Sequence, residues 1–171
     1  MRRGRALRAG GLALGFLLAG CSGAATRIED GAFRSQKGYQ VRLPGPGWQV
    51  EPDATADLEL RRERPPGGML ADATCGGPEP SRSLDVLARH VTMGLVHRST
   101  TVSDTWTVDG RPAAHRVVQG SRDGVAVTVE AVVLQGARCI HDFLYVAPAP
   151  DFESGRSAFR AFVESFAEAP R

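Results

Sequence analysis

The residues whose types and spacing could best do chemistry are His115 and Asp142, which belong to two strand-forming segments. If the turns at Gly120–Gly124 and Gly136–Ala137 are tight, His115 lies opposite Val129. His115 and Asp142 then project from one sheet face, two strands apart and about 10 Å from Cα to Cα. A histidine with an orienting carboxylate can act as a general base, which also needs a nucleophile and a cleft. The sequence points to neither, so we expect both residues to be structural polar groups.

The remaining patterns do not specify a reaction. The sequence has no Gly-x-Ser-x-Gly nucleophile elbow, and no glycine-rich loop leads from a strand into a helix. His90 and His97 lie seven residues apart, and we interpret them as surface histidines. Trp48 and Trp106 could be ligand platforms, but packing is the more common role of aromatic residues in strands. The sequence therefore predicts no catalytic residue, no metal ligand and no cofactor.

The elements that must position these residues are strands in the middle of the chain, followed by a helix near its end. Alternating apolar residues and turn signals predict strands over 39–43, 57–61, 69–75, 99–108, 113–119, 125–135 and 138–146. Apolar residues at helical spacing predict helices over 83–95, capped by Ser83, and over 152–167, capped by Asp151. The last four strands are spaced as a hairpin meander.

The segment VAVTVEAVVL, residues 125–134, indicates how these elements are layered. It is apolar on both faces and is interrupted only by Thr128 and Glu130. A strand with one face in water would alternate more cleanly, so both sheet faces should be covered. We predict an α+β fold, an α-β-α sandwich around a mostly antiparallel sheet of about six or seven strands with two main helices.

The N-terminus indicates an exported protein. Four arginines form a positive n-region, and the apolar run Ala9–Gly20 is too short to span a bilayer. The sequence Leu18-Ala19-Gly20-Cys21 resembles the bacterial lipoprotein cleavage box. The resemblance implies cleavage before Cys21 and addition of a diacylglycerol and an N-acyl chain such as palmitate, which together anchor a protein stably. Ser22 follows the cysteine, where aspartate would imply retention in the inner membrane, so the resemblance implies a periplasm-facing outer-membrane lipoprotein.

Cleavage changes both the charge and the boundaries of the chain. The whole sequence has 21 basic and 19 acidic residues, but four of the basic ones are Arg2, Arg3, Arg5 and Arg8. The mature chain therefore has 17 basic and 19 acidic residues, a net charge of −2. This charge removes the electrostatic support for a nucleic-acid partner. We predict a signal peptide over residues 1–20, a tether over 21–31 and one α+β domain over 32–168.

Two cysteines, Cys75 and Cys139, remain once Cys21 carries lipid. An even number in an oxidising compartment favours a disulfide. The alternative is a zinc ligand or a nucleophile, but Cys139-Ile140-His141 has no Cys-x-x-Cys partner motif. We therefore predict a Cys75–Cys139 disulfide.

The order of elements resembles the PsbP-like family, named after an extrinsic subunit of the photosynthetic oxygen-evolving complex. The likeness covers residues 32–168 and is a pattern of positions. Its residues are Tyr39, Val41, Leu43, Pro44, Trp48, Leu58, Leu60, the helix from Ser83, the hairpin Val108–Ala113, Ser165 and Phe166. The resemblance implies an assembly or accessory role, and none of the family's metal-binding residues has a match here.

Two functions remain open at this stage. The favoured one is a non-enzymatic binding or assembly accessory module anchored to the envelope, with the membrane and an envelope protein as partners. The alternative is a small periplasmic enzyme or metal-binding carrier whose site is built from scattered residues. A missing motif favours the first function only weakly.

Overall fold

The structure, a computed structural model, describes residues 28–76 and 83–168. Cys21, the signal peptide and most of the predicted tether lie outside these residues. The elements are β1 Ile28–Glu29, β2 Ala32–Arg34, β3 Tyr39–Arg42, β4 Gln49–Val50, β5 Leu58–Arg62, β6 Gly67–Cys75, α1 Leu84–His90, β7 Val96–Val108, β8 Arg111–Arg122, β9 Val125–Gln135, β10 Cys139–Pro148, a 3-10 turn Ala149–Asp151, α2 Glu153–Glu164 and β11 Ala167–Glu168.

Seven strands form the main sheet in the order β4-β5-β6-β10-β9-β8-β7, and every neighbouring pair is antiparallel. β1, β2, β3 and β11 form a second, smaller sheet. The predicted α+β class and the seven-stranded sheet are confirmed. The smaller sheet was not predicted as a separate layer, and its first strand begins at Ile28, within the expected tether.

β9 lies near the middle of the main sheet and is buried on both faces, as its apolar sequence predicts. Every residue from Val127 to Leu134 is buried. The odd-numbered residues of β9 face the side of α1, and the even-numbered residues face α2. The two helices therefore cover opposite faces of one sheet.

α2 covers its face with aromatic side chains. Phe159 packs against Tyr145 at a ring-centroid distance of 5.9 Å, and Phe162 meets Phe143 edge-on at 6.0 Å. Gly155 allows this contact, because a Cβ there would lie 2.3 Å from the hydroxyl of Tyr145. The helix begins at Glu153 with Phe152 at the N-cap, so the predicted cap at Asp151 is wrong.

α1 is shorter than predicted and covers only part of the opposite face. It packs across β8 and β9 with Ala88 fully buried, and the chain leaves the helix at Val91. Ser83 is the N-cap residue but makes no side-chain cap hydrogen bond. The β6–β10 half of this face is left less covered, and Val146 there is 37% exposed.

The hairpin between β8 and β9 sets the register of the sheet. β8 continues through Gly120 to Arg122, and the turn consists of Asp123 and Gly124, with φ of 51° and 80°. Such a two-residue turn with both φ positive is the common tight hairpin connection. His115 therefore pairs with Val132, three residues from the predicted partner. An odd shift moves a side chain to the other face, so the prediction that His115 and Asp142 share a face is wrong.

Candidate functional site

A groove of about 890 Å³ lies beside α1, over the part of the sheet that the helix leaves uncovered. Its floor comes from the ends of β6 and β10, including Thr74, Ile140 and Asp142. Leu87, His90 and Val91 form the α1 wall. The facing wall is formed by Lys37 and the β9–β10 turn, residues 135–138. A cavity of this size is typical of a small-molecule site.

The Cys75–Cys139 disulfide lies at one end of this groove. The two cysteines are directly opposite each other on β6 and β10, with their Cα atoms 4.2 Å apart. The predicted disulfide is therefore confirmed. It fixes the ends of the two floor strands against each other, and it leaves neither sulfur of this pair as a thiolate for metal binding or nucleophilic attack.

Asp142 is the polar group on the groove floor. Its Oδ1 is buried and has no hydrogen-bond partner among the residues that the structure describes. Burial raises the pKa of the Asp142 carboxyl to about 6; the Asp72 carboxylate adds to the rise and His90 opposes it. Asp72 is its direct cross-strand partner, so two carboxylates occupy opposed positions on one face. Such like-charged pairs are destabilising unless a cation lies nearby.

Lys37 supplies a cation to Asp72 but not to Asp142. Its Nζ lies 3.1 Å from Asp72 Oδ1 and 2.8 Å from Asp57 Oδ1. Tyr39 donates a hydrogen bond of 3.0 Å from its hydroxyl to the other oxygen of Asp57. Burial lowers the pKa of Lys37, but the two carboxylates outweigh burial and the net change is upward. Lys37 is thus held as a cation between Asp57 and Asp72.

A second, smaller cavity of about 340 Å³ adjoins the groove at Val91, which lines both. Its floor is apolar: Leu144 and Val146 follow Asp142 along the same face of β10, and Leu70 pairs with Leu144 from β6. Its lining also includes the charged residues Glu51, Glu59, Arg61 and Arg122. Together the two cavities form a trough over β10 with Asp142 at one end and an apolar floor at the other.

His115 lies on the other face of the sheet, under α2, and is 3% exposed. Its Nδ1 lies 2.6 Å from Asp104 Oδ1, and its Nε2 lies 2.8 Å from Glu130 Oε1. Arg156 of α2 approaches the second oxygen of Glu130 at 3.4 Å. Both ring nitrogens are thus occupied by carboxylates, so the ring is not free to take a proton from a substrate. The structural interpretation of His115 holds, with partners that the sequence did not identify.

The other candidate residues from the sequence have ordinary environments. Trp106 stacks on His115 at a centroid distance of 4.1 Å, and Trp48 meets Tyr145 edge-on at 6.2 Å. Both tryptophans therefore pack, as expected. His90 and His97 are exposed, as expected for surface histidines, and His90 also lines the groove.

Three residues of this arrangement were missed by sequence reasoning. Glu130 carried a signal, because a charged residue in an otherwise apolar buried strand requires a buried partner. Lys37 carried none, since it comes from a turn distant in sequence from Asp72 and Asp142. His141 was also missed. It is 1% exposed and lies 3.3 Å from Glu168 of β11, and burial lowers its pKa more than Glu168 raises it.

Within residues 28–76 and 83–168, no group of three or more His, Cys, Asp or Glu side chains is arranged to hold a metal ion. Neither helix of this part combines the length and the apolar character needed to cross a bilayer.

Comparison with known proteins places the chain by fold alone. No family model matches the sequence, and no curated protein matches it. LpqN, described as involved in cell envelope biogenesis of Mycobacterium tuberculosis, superposes with a TM-score of 0.58 at 17% identity, over 77% of this chain and 84% of that one. Cyanobacterial PsbP from Synechocystis has a TM-score of 0.59 at 16% identity, over 88% and 98%. A Mog1 mutant has a TM-score of 0.56 at 11% identity, over 77% and 91%. The chain has a PsbP-like fold.

Proposed function

We propose that this protein is a lipid-anchored binding module of the bacterial envelope that captures its ligand in the groove beside α1 without converting it. The observation that carries the proposal is the groove itself, a concave site of about 890 Å³ that meets an unpartnered carboxyl on its floor. Pockets that combine apolar walls with one or two convergent polar groups are the usual form of a ligand site.

The anchor rests on the N-terminal sequence. An arginine-rich start, a short apolar run and Leu-Ala-Gly-Cys together match a lipoprotein signal, and Ser22 favours the outer membrane with the protein facing the periplasm. LpqN, which has a similar fold, is described as involved in envelope biogenesis, which is in keeping with an envelope role here.

The anchor is tested by intact-mass spectrometry of the protein extracted from membranes. We expect Cys21 to be the first residue and to carry diacylglycerol and an acyl chain. A Cys21→Ser variant should lose both the lipid mass and cleavage before position 21. An unmodified N-terminus at any other residue would contradict the proposal.

Binding without catalysis rests on what lines the groove. Its two cysteines are joined to each other, and Lys37 is held by two carboxylates, so neither kind of side chain offers a free nucleophile there. His90 lines the groove wall and is exposed. The proposal assigns these residues to shaping the site.

The binding role is tested in cells with a photo-crosslinking residue placed at Thr74, which lines the groove and is exposed. The matched control carries the same residue at Arg160, whose side chain is 65% exposed on α2 across the sheet. We expect a discrete mass increase after irradiation for position 74 only. No adduct at position 74, or the same adduct at both positions, would refute a groove-based binding role. A protein-sized adduct would identify an envelope protein partner.

A further inference from the structure

We propose that the groove binds a small amphiphile that presents an ammonium group to Asp142 and lays its apolar part over Leu144 and Val146. This inference rests on the proposed binding role of the groove and adds the chemistry of its ligand.

The Asp142 end of the trough can accept a cation with hydrogen-bond donors. Asp142 and Asp72 are opposed on one face, and Lys37 already bridges Asp72 and Asp57. Asp142 is left with a buried oxygen that has no hydrogen-bond partner among the described residues. An ammonium group supplies both the missing positive charge and up to three N–H donors. A charged hydrogen bond of this kind is stronger than one from a neutral hydroxyl.

Two other basic side chains line the groove, which defines the competing possibility. His90 stands on the α1 wall and Arg138 on the β9–β10 turn. A carboxylate ligand that used them would share the groove with Asp142, a group of its own charge. Repulsion in a partly desolvated groove disfavours that arrangement.

The apolar end receives the rest of the ligand. Leu70, Leu144 and Val146 form adjacent positions on the floor, and Val91 and Leu95 face them. Val146 is 37% exposed in the free protein, so apolar surface there remains available for burial. Each CH₂ group that the ligand buries there favours binding.

The floor argues against a peptide as the ligand. β6 and β10 are interior strands, and each pairs with a neighbour on both sides. An extended peptide laid on this face would find no backbone partners and would bury its own amides against leucine and valine. An alkyl chain carries no such groups, so a small amphiphile fits where a peptide does not.

The test uses three probes of equal length: hexylammonium, hexanol and hexanoate. The mature lipoprotein is carried in phosphatidylcholine nanodiscs, with empty nanodiscs as the blank. Affinity is read from NMR shifts of the Leu144 and Val146 methyl groups. We expect hexylammonium to bind at least tenfold more tightly than either other probe. Asp142→Asn should weaken hexylammonium at least tenfold and change hexanol less than twofold.

Two more variants separate the contribution of the ligand's ammonium group from that of its apolar part. Val146→Asp, at an exposed position, should weaken both hexylammonium and hexanol. Glu164→Gln, at an exposed carboxylate on α2 across the sheet, should change neither.

Each alternative outcome overturns the cation inference. Equal binding of hexanol and hexylammonium would mean an apolar site, and tighter binding of hexanoate would assign the polar end to His90 and Arg138. Both results would leave the binding role of the groove intact. If none of the three probes binds, the ligand class is wrong, and the crosslink at Thr74 decides separately whether the groove binds anything.

Discussion

Replacing Asp142 with asparagine should stabilise the protein at neutral pH, although it removes a native charge. The folded carboxyl has a pKa of about 6, against 3.8 for the unperturbed group. A difference of about two pKa units corresponds to about 3 kcal/mol. Ionisation of Asp142 therefore destabilises the folded state by up to about 3 kcal/mol. Asparagine has the same shape but no charge, so the variant avoids this destabilisation.

The pH dependence follows from which state holds the proton. Between pH 3.8 and about 6 the folded protein keeps the Asp142 proton and the unfolded chain has released it. The free energy of unfolding therefore falls as the pH rises through this window. Above about pH 6 the wild type carries the full penalty. Only well below pH 3.8 is the carboxyl neutral in both states, so the difference between wild type and variant should shrink to about 0.5 kcal/mol at pH 4 and vanish at lower pH.

The assay is urea unfolding of oxidised protein at pH 7.5, 6, 5 and 4, followed by tryptophan fluorescence. We expect Asp142→Asn to gain about 2–3 kcal/mol at pH 7.5, falling to about 0.5 kcal/mol at pH 4. Asp53→Asn, at an exposed carboxylate, should track the wild type throughout. A variant that is no more stable than wild type at pH 7.5, or a gain that does not depend on pH, would refute a desolvated carboxylate at position 142.

Three further changes test the packing. Replacing Cys75 and Cys139 together with alanine should lower the free energy of unfolding by about 4 kcal/mol, because the disulfide closes a loop with a sequence separation of 64, measured by urea titration. Gly155→Ala should cost about 1–3 kcal/mol despite the higher helix propensity of alanine, because its Cβ would meet the Tyr145 hydroxyl at 2.3 Å, and a lower melting temperature would report it. Glu130→Ala should cost about 3–5 kcal/mol in the same unfolding assay, since it removes the buried carboxylate that both His115 and Arg156 contact.

Two of these changes, Gly155→Ala and Glu130→Ala, have a control with similar chemistry. Gly94→Ala should be neutral, because a Cβ there has nothing within 4 Å. Glu164→Ala breaks an exposed pair with Arg160 and should cost less than about 1 kcal/mol. If Gly155→Ala matches Gly94→Ala, or Glu130→Ala matches Glu164→Ala, the close packing of α2 on the sheet is misassigned.

The covered sheet could be predicted because its signal is local. The apolar run of β9 has no polar face, which requires a layer on each side wherever the strand lies. The Cys75–Cys139 disulfide could also be predicted, because an even number of cysteines in an oxidising compartment leaves few alternatives to a disulfide. These inferences depend on residue type and not on exact register.

The site could not be predicted because it depends on register and on distant segments. The segment Gly120–Arg122 was interpreted as loop, but it is strand, and that error alone moved His115 to the wrong face. The pKa of Asp142 is raised by burial in the groove and by Asp72. The pairing of Asp142 with Asp72 across β6 and β10 cannot be predicted from their spacing in the sequence. Packing decides where a helix ends and how much of the sheet it covers. The apolar spacing predicted a helix over 83–95, but α1 ends at His90.

The disulfide also determines how the protein responds to mechanical load. The bond joins β6 directly to β10, so a force that pulls the two ends of the chain apart passes from one of these strands to the other. The load therefore bypasses α1, β7, β8 and β9, which lie inside the closed loop of sequence separation 64. At about 3.3–3.6 Å per residue, this loop keeps about 220 Å of chain from being extended. Oxidation thus sets the length to which the chain can be stretched, and reduction would release the loop in a single step.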